Sequence, residues 1–102
     1  YLIDVIGLET EIKLSSDIEI DFSLHGTDIN LALLENVGAT YYLSGPMGRK
    51  YLNLENFKRA GISVEFQDFK LKEYPQVYPG FVPNLSVIDL LFNVGEKTIE
   101  YI

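Results

Sequence analysis

A chain of 102 residues, 47% hydrophobic and 13% aromatic, has the makeup of a folded domain with a modest core, not of a disordered tail. Its net charge of −7 argues against nucleic acid or an anionic membrane as partner, since both call for a basic face. No apolar run approaches the roughly 20 residues of a membrane span, and the lack of cysteine excludes a disulfide framework.

The chain opens on Tyr1 with a pattern, YLIDVIGLET, that reads as the end of a helix closed by Gly7. The expectation is therefore a single α/β domain over residues 1–102, forming the carboxy-terminal part of a longer protein. From Thr10 the period changes: Ile12 and Leu14 alternate with Glu11 and Lys13, which predicts a half-buried strand ending at Ser15-Ser16-Asp17. Ile18, Ile20, Phe22 and Leu24 also alternate with polar residues and admit a strand, although a loop wrapping the core edge is the preferred reading of 17–26.

Thr27 or Asp28 is a good cap for a helix carrying Ile29, Leu33 and Val37 on one stripe and ending at Gly38. A short buried strand, Thr40–Leu43, follows and empties into Ser44-Gly45-Pro46-Met47-Gly48-Arg49-Lys50. Asn53 then caps a helix Leu54–Ala60, with Lys58 and Arg59 in its last turn, where cations oppose the helix dipole. Gly61 closes it and Ile62 packs back on Phe57. Ser63–Gln67 alternates as a strand near a sheet edge. The loop EYPQVYPGFVP cannot be regular with prolines at 75, 79 and 83. Asn84 or Ser86 caps a last apolar helix, Leu85–Val94, ended by Gly95.

Strands alternating with helices across short glycine-capped turns predict an α/β fold of parallel βαβ units. Three parallel strands would bring Ser15 and Ser16, then Ser44 through Arg49, then Gln67 and Asp68 to one carboxyl edge, where open α/β sheets hold their ligands. The amino end of the helix after Asn53 would aim N–H groups near the same rim, which suits an anion. Each feature also has a plain reading. The two glycines can be turn residues, Arg49 and Lys50 a solvated pair, Tyr74, Gln76 and Tyr78 loop packing, and Ser86 with Asp89 a helix cap. SGPMGRK lacks the ending of a Walker loop. No spacing suits a metal, His25 sits on a surface turn, and no Ser/His/Asp set suits a hydrolytic triad. No residue is assigned to catalysis.

Three blocks, Tyr42-Leu43-Ser44-Gly45 with Gly48 and Tyr51, then Tyr74-Pro75-Gln76, then Leu85-Ser86 through Asp89-Leu90-Leu91-Phe92-Asn93, occur in an order that resembles the carboxy-terminal half of the WbqC-like family. The resemblance covers nearly the whole chain. It implies a fragment of a three-layer, nucleotide-binding-like sheet and a cytoplasmic transferase of bacterial surface-polysaccharide (O-antigen) biosynthesis. The substrate it implies is a nucleotide-activated amino sugar or an adenylated donor, with no cofactor held in this segment. The family's amino-terminal half carries a Gln-Pro-x-Tyr-x-Pro block similar to the first strand of nucleotidylyltransferases, which is not in this sequence. That half is the expected partner in forming the cleft. On this reading Ser15, Ser16, Ser44, Gly45, Gly48, Arg49 and Tyr51 bind phosphate or sugar, Tyr74 and Gln76 wall the pocket, and Asp89 and Asn93 support it from behind. The alternative is a non-catalytic interaction domain that uses the Tyr/Pro-rich loop 73–83 as its contact surface.

Overall fold

The computed structural model describes residues 1–102, which divide into two compact units, Lys13–Asp68 and Tyr1–Ile12 with Phe69–Ile102. In the first unit, helix α2 (Thr27–Asn36; α1 is described below) precedes strand β1 (Tyr41–Ser44), helix α3 (Leu54–Arg59) and strand β2 (Ser63–Phe66). The two strands pair in parallel, Tyr41 opposite Ser63 through Ser44 opposite Phe66. The chain is thus α/β, with one βαβ unit.

Alternation sorts the strand side chains between two faces. Tyr42, Ser44, Val64 and Phe66 turn inward. Phe57 of α3 is fully buried there, its ring 5.8 Å from that of Tyr42. The opposite face carries Tyr41, Leu43, Ser63 and Glu65, so the strand read as buried leaves Tyr41 and Leu43 about half exposed. α3 is bounded as expected: the Asn53 side chain accepts from the Glu55 N–H, and beyond the helix the Ile62 N–H reaches the Phe57 carbonyl at 2.9 Å while Gly61 takes φ 75. That pair is a Schellman ending, and it places Ile62 in the core. Ala39 and Leu34 close α2 with the same bond, at 2.8 Å.

Two expectations for residues 10–28 need correction. Residues 10–14 form no strand, and Ile12 and Leu14 are both about 60% exposed. Alternation marks residues that could line a half-buried strand, but a strand exists only where a ladder partner pairs with it, and the sheet has only β1 and β2. Ser15 and Ser16 consequently follow no strand; they begin a 3₁₀ turn, Ser15–Asp17. Neither Thr27 nor Asp28 caps α2 with its side chain; Gly26 stands at that position. The Thr27 hydroxyl instead accepts from the Asn53 N–H at 2.9 Å and donates to the Tyr51 carbonyl at 3.4 Å, tying α2 to the entrance of α3. Residues 17–26 are irregular, as preferred, with an Asp21 carboxylate accepting from the Ser23 N–H.

The second unit contains α1 (Leu2–Ile6), an irregular segment after Phe69, α4 (Val87–Val94) and a 3₁₀ turn, Gly95–Glu100. Ser86, not Asn84, caps α4 by accepting from the Ile88 N–H at 3.2 Å, and the helix starts two residues later than the sequence suggests. Leu90, Tyr74 and Thr98 form the buried centre. Tyr74 meets the rings of Phe81 and Tyr101 edge-on at 5.3 and 6.1 Å, and Thr98 donates to the Gly95 carbonyl at 2.7 Å. No helix is long and apolar enough to cross a membrane.

Candidate functional site

The residues expected to bind substrate fall into two groups, one in each unit. In the first, β1 ends at Ser44 and the chain turns through a 3₁₀ segment, Pro46–Lys50. This turn approaches the carboxyl end of β2 closely. A Cβ on Gly48 would stand 2.2 Å from the Ser44 Oγ, 3.0 Å from Leu52 and 3.1 Å from the Phe66 ring. Only glycine lets the turn pack this tightly. Ser44 and Gly48 are therefore interior residues, not ligand-facing ones, and the Ser44 hydroxyl donates to the adjacent Gly45 carbonyl at 3.2 Å. Gly45 has ordinary extended dihedrals and open space where a side chain would go, so the turn does not require a glycine there.

Close packing of Gly48 decides where the next residue goes. Arg49 lies over Phe66, its guanidinium carbon 4.4 Å from the ring centre, a cation–π contact. Its side chain is exposed and has no carboxylate within ion-pair distance. In a chain of net charge −7 that is a held, unneutralised cation at the carboxyl end of a parallel pair. Lys50 beside it is also exposed. Tyr51 is half exposed, and its backbone, not its ring, is engaged, through the Thr27 hydroxyl. Ser15 and Ser16 are exposed, with the Ser16 hydroxyl donating to Asp17. The amino end of α3, six residues long, is closed by Asn53 and carries Glu55 in its first turn, so it offers an anion nothing. A wider depression of about 490 Å³ runs past Leu54, Lys58 and Ser63 at the opposite, amino end of β2, where none of the expected residues lies.

In the second unit Gln76, Asp89 and Asn93 line one pocket of about 210 Å³, together with Val77, Tyr78 and Leu85. Their roles differ from those expected. Both ends of the Gln76 amide are taken by Val82, which donates to Oε1 at 2.9 Å and accepts from Nε2 at 3.0 Å, closing the loop into a ring. Tyr74 does not line this pocket; it is buried, borders a separate cavity of about 160 Å³, and its hydroxyl donates to Asp89 Oδ2 at 2.7 Å. That bond, then desolvation and the nearby charge, raises the Tyr74 phenol above its usual value. Asn93 donates to the Asp89 carbonyl one helical turn back at 2.8 Å. Asp89 and Asn93 thus face the pocket while Tyr74 supports them.

Sequence reasoning missed Phe66 as the platform under Arg49. Its position at the end of a strand, on the face opposite the outward Glu65, was the available signal. No group of three or more His, Cys, Asp or Glu side chains converges as metal ligands would.

The sequence that forms these elements can be set beside known proteins. The model of the WbqC-like protein family matches residues 1–101. The chain belongs to that family. An uncharacterized protein of Mycobacterium tuberculosis, Rv1507c, is 35% identical over 99 residues, covering 95% of this chain and 42% of its own length. This WbqC-like chain therefore spans less than half of that relative. No solved structure matches it significantly.

Proposed function

We propose that the chain is part of a transferase of bacterial surface-polysaccharide (O-antigen) biosynthesis, acting on a nucleotide-activated amino sugar or an adenylated donor. The observation that carries this reading is Arg49, an unpaired cation pinned over Phe66 where β2 ends. A preplaced guanidinium suits a phosphate group, which it can meet with two parallel hydrogen bonds. Its contribution would be positioning and stabilisation of developing negative charge. Ser44 and Gly48 serve the site indirectly, by holding the turn that places Arg49.

On this reading the parallel pair belongs to a larger three-layer, nucleotide-binding-like sheet in a longer protein of cytoplasmic setting. Parallel sheets are ordinarily covered on both faces, and the half-exposed Tyr41 and Leu43 mark the side a further layer would cover. Calorimetry with uridine monophosphate tests the reading. Arg49→Ala is expected to cost about 1.5–3 kcal/mol of binding, the range for hydrogen bonds to charged groups. Unchanged affinity rejects it.

A second reading, a non-catalytic interaction domain, draws support from Val77 and Tyr78, which stand more than 80% exposed at the tip of the Tyr/Pro loop. It predicts that Tyr78→Ala abolishes a protein–protein contact while Arg49→Ala changes nothing.

A further inference from the structure

The pocket beneath the Tyr/Pro loop has a one-sided chemistry. Gln76 spends one amide N–H and one carbonyl lone pair on Val82, and it brings no charge to the pocket. Asp89 Oδ2 is taken by Tyr74, but Oδ1 has no partner. Asn93 uses Nδ2 on the Asp89 carbonyl, which leaves its own Oδ1 as an acceptor. Every fully buried side-chain polar atom in the chain is hydrogen-bonded, so these two oxygens are open to an incoming group. Neither lysine nor arginine lines the pocket, and Asp89 is its single charge. Tyr78 and Val77 supply an apolar wall.

A carboxylate that must be found by a ligand is most effective when it does not have to be ordered at the moment of binding. Asp89 meets that condition. Tyr74 holds it from the interior, and Tyr74 is itself boxed by Phe81 and Tyr101. The volume of about 210 Å³ lies below the roughly 300–1,000 Å³ of pockets for drug-sized ligands, so the occupant is small, of the order of one sugar ring.

We infer that this pocket binds a small ligand through a primary ammonium group flanked by hydroxyls, the chemistry of a protonated amino sugar, with the ammonium on Asp89 and a hydroxyl on Asn93. A phosphate is disfavoured here, because it would meet a carboxylate and no cation. The inference rests on the proposed function only for its choice of sugar as the carrier of the amine.

Glucosamine, glucose and N-acetylglucosamine are titrated into the isotopically labelled protein and followed by amide chemical shifts. Glucosamine is expected to perturb residues 76–85 and 89–93 and to bind at least about tenfold more tightly than the two uncharged sugars, the loss of one charge-assisted hydrogen bond. Asp89→Asn keeps an acceptor for Tyr74 and is expected to remove that preference. Should it fail to fold, the ranking of the three sugars on the unaltered protein still decides. Equal affinities, or shifts confined to other residues, overturn the inference. Uridine monophosphate on Arg49→Ala is read separately, so failure there leaves the glucosamine result standing.

Discussion

Arg49 and Phe66 meet at 4.4 Å although they sit on different elements, a 3₁₀ turn and the last residue of β2. The contact explains how a long, flexible cation is kept in place on an exposed rim without an acidic partner. Replacing the ring while keeping apolar bulk separates the platform from the cation. Phe66→Leu is expected to weaken uridine monophosphate binding about two- to fivefold, the equivalent of about 0.5–1 kcal/mol for an exposed cation–π contact. A loss as large as that of Arg49→Ala would mean that the ring does more than steady the guanidinium.

The two glycines of the turn are expected to behave oppositely. Gly48→Ala forces a methyl against Ser44, Leu52 and Phe66 and is expected to cost about 1–3 kcal/mol of stability, the range for overpacking a tight interior. Ser44→Gly in the same chain removes the nearest clash and is expected to restore part of that loss. Gly45→Ala meets no atom within 4 Å and keeps an ordinary backbone, so its effect on stability is neutral or slightly favourable. Urea denaturation of the three variants checks the set.

Gln76 is a brace for the loop. Gln76→Ala removes two hydrogen bonds to Val82 and is expected to destabilise the loop by about 1–2 kcal/mol. The readout is local: faster hydrogen exchange at the Val82 N–H, and weaker glucosamine binding, with little change in the unit formed by 13–68.

Two of the seven tyrosines are expected to ionise late in an alkaline titration followed by phenolate absorbance. Tyr41 donates to Glu65 across the exposed face of the sheet, and Tyr74 donates to Asp89. In each case the hydrogen bond to a carboxylate, then desolvation, raises the phenol. Raised folded values favour the neutral phenols, so their stabilising contribution is complete below the ordinary value near 10 and is lost as pH climbs through the raised ones. Glu65→Gln is expected to bring Tyr41 back among the ordinary tyrosines and leave Tyr74 late.

Much of the local structure was legible before the fold was known. Asn53 and Ser86 cap helices by bonds that span two residues, and at Gly38 and Gly61 the chain closes them by bonds that span three, from the glycine N–H, and five, from the residue after it. Such signals need no distant partner. The alternation at 10–14 looked equally clear and failed, because no strand pairs with it. Thr27 carried a good cap signal, yet Asn53, 26 residues away, took its hydroxyl.

The same division runs through the site. Local pattern determined the helix and strand segments of the βαβ unit, the glycine turn after β1 and the capped helix that carries Asp89 and Asn93, since each of these depends on neighbours within a few residues. Only the tertiary structure decided which of these residues meet solvent. Ser44 and Gly48 went inside because the turn folds onto Phe66, and Tyr74 went inside because Phe81 and Tyr101 enclose it. Burial is set by contacts between elements far apart in the chain, and no local spacing encodes them.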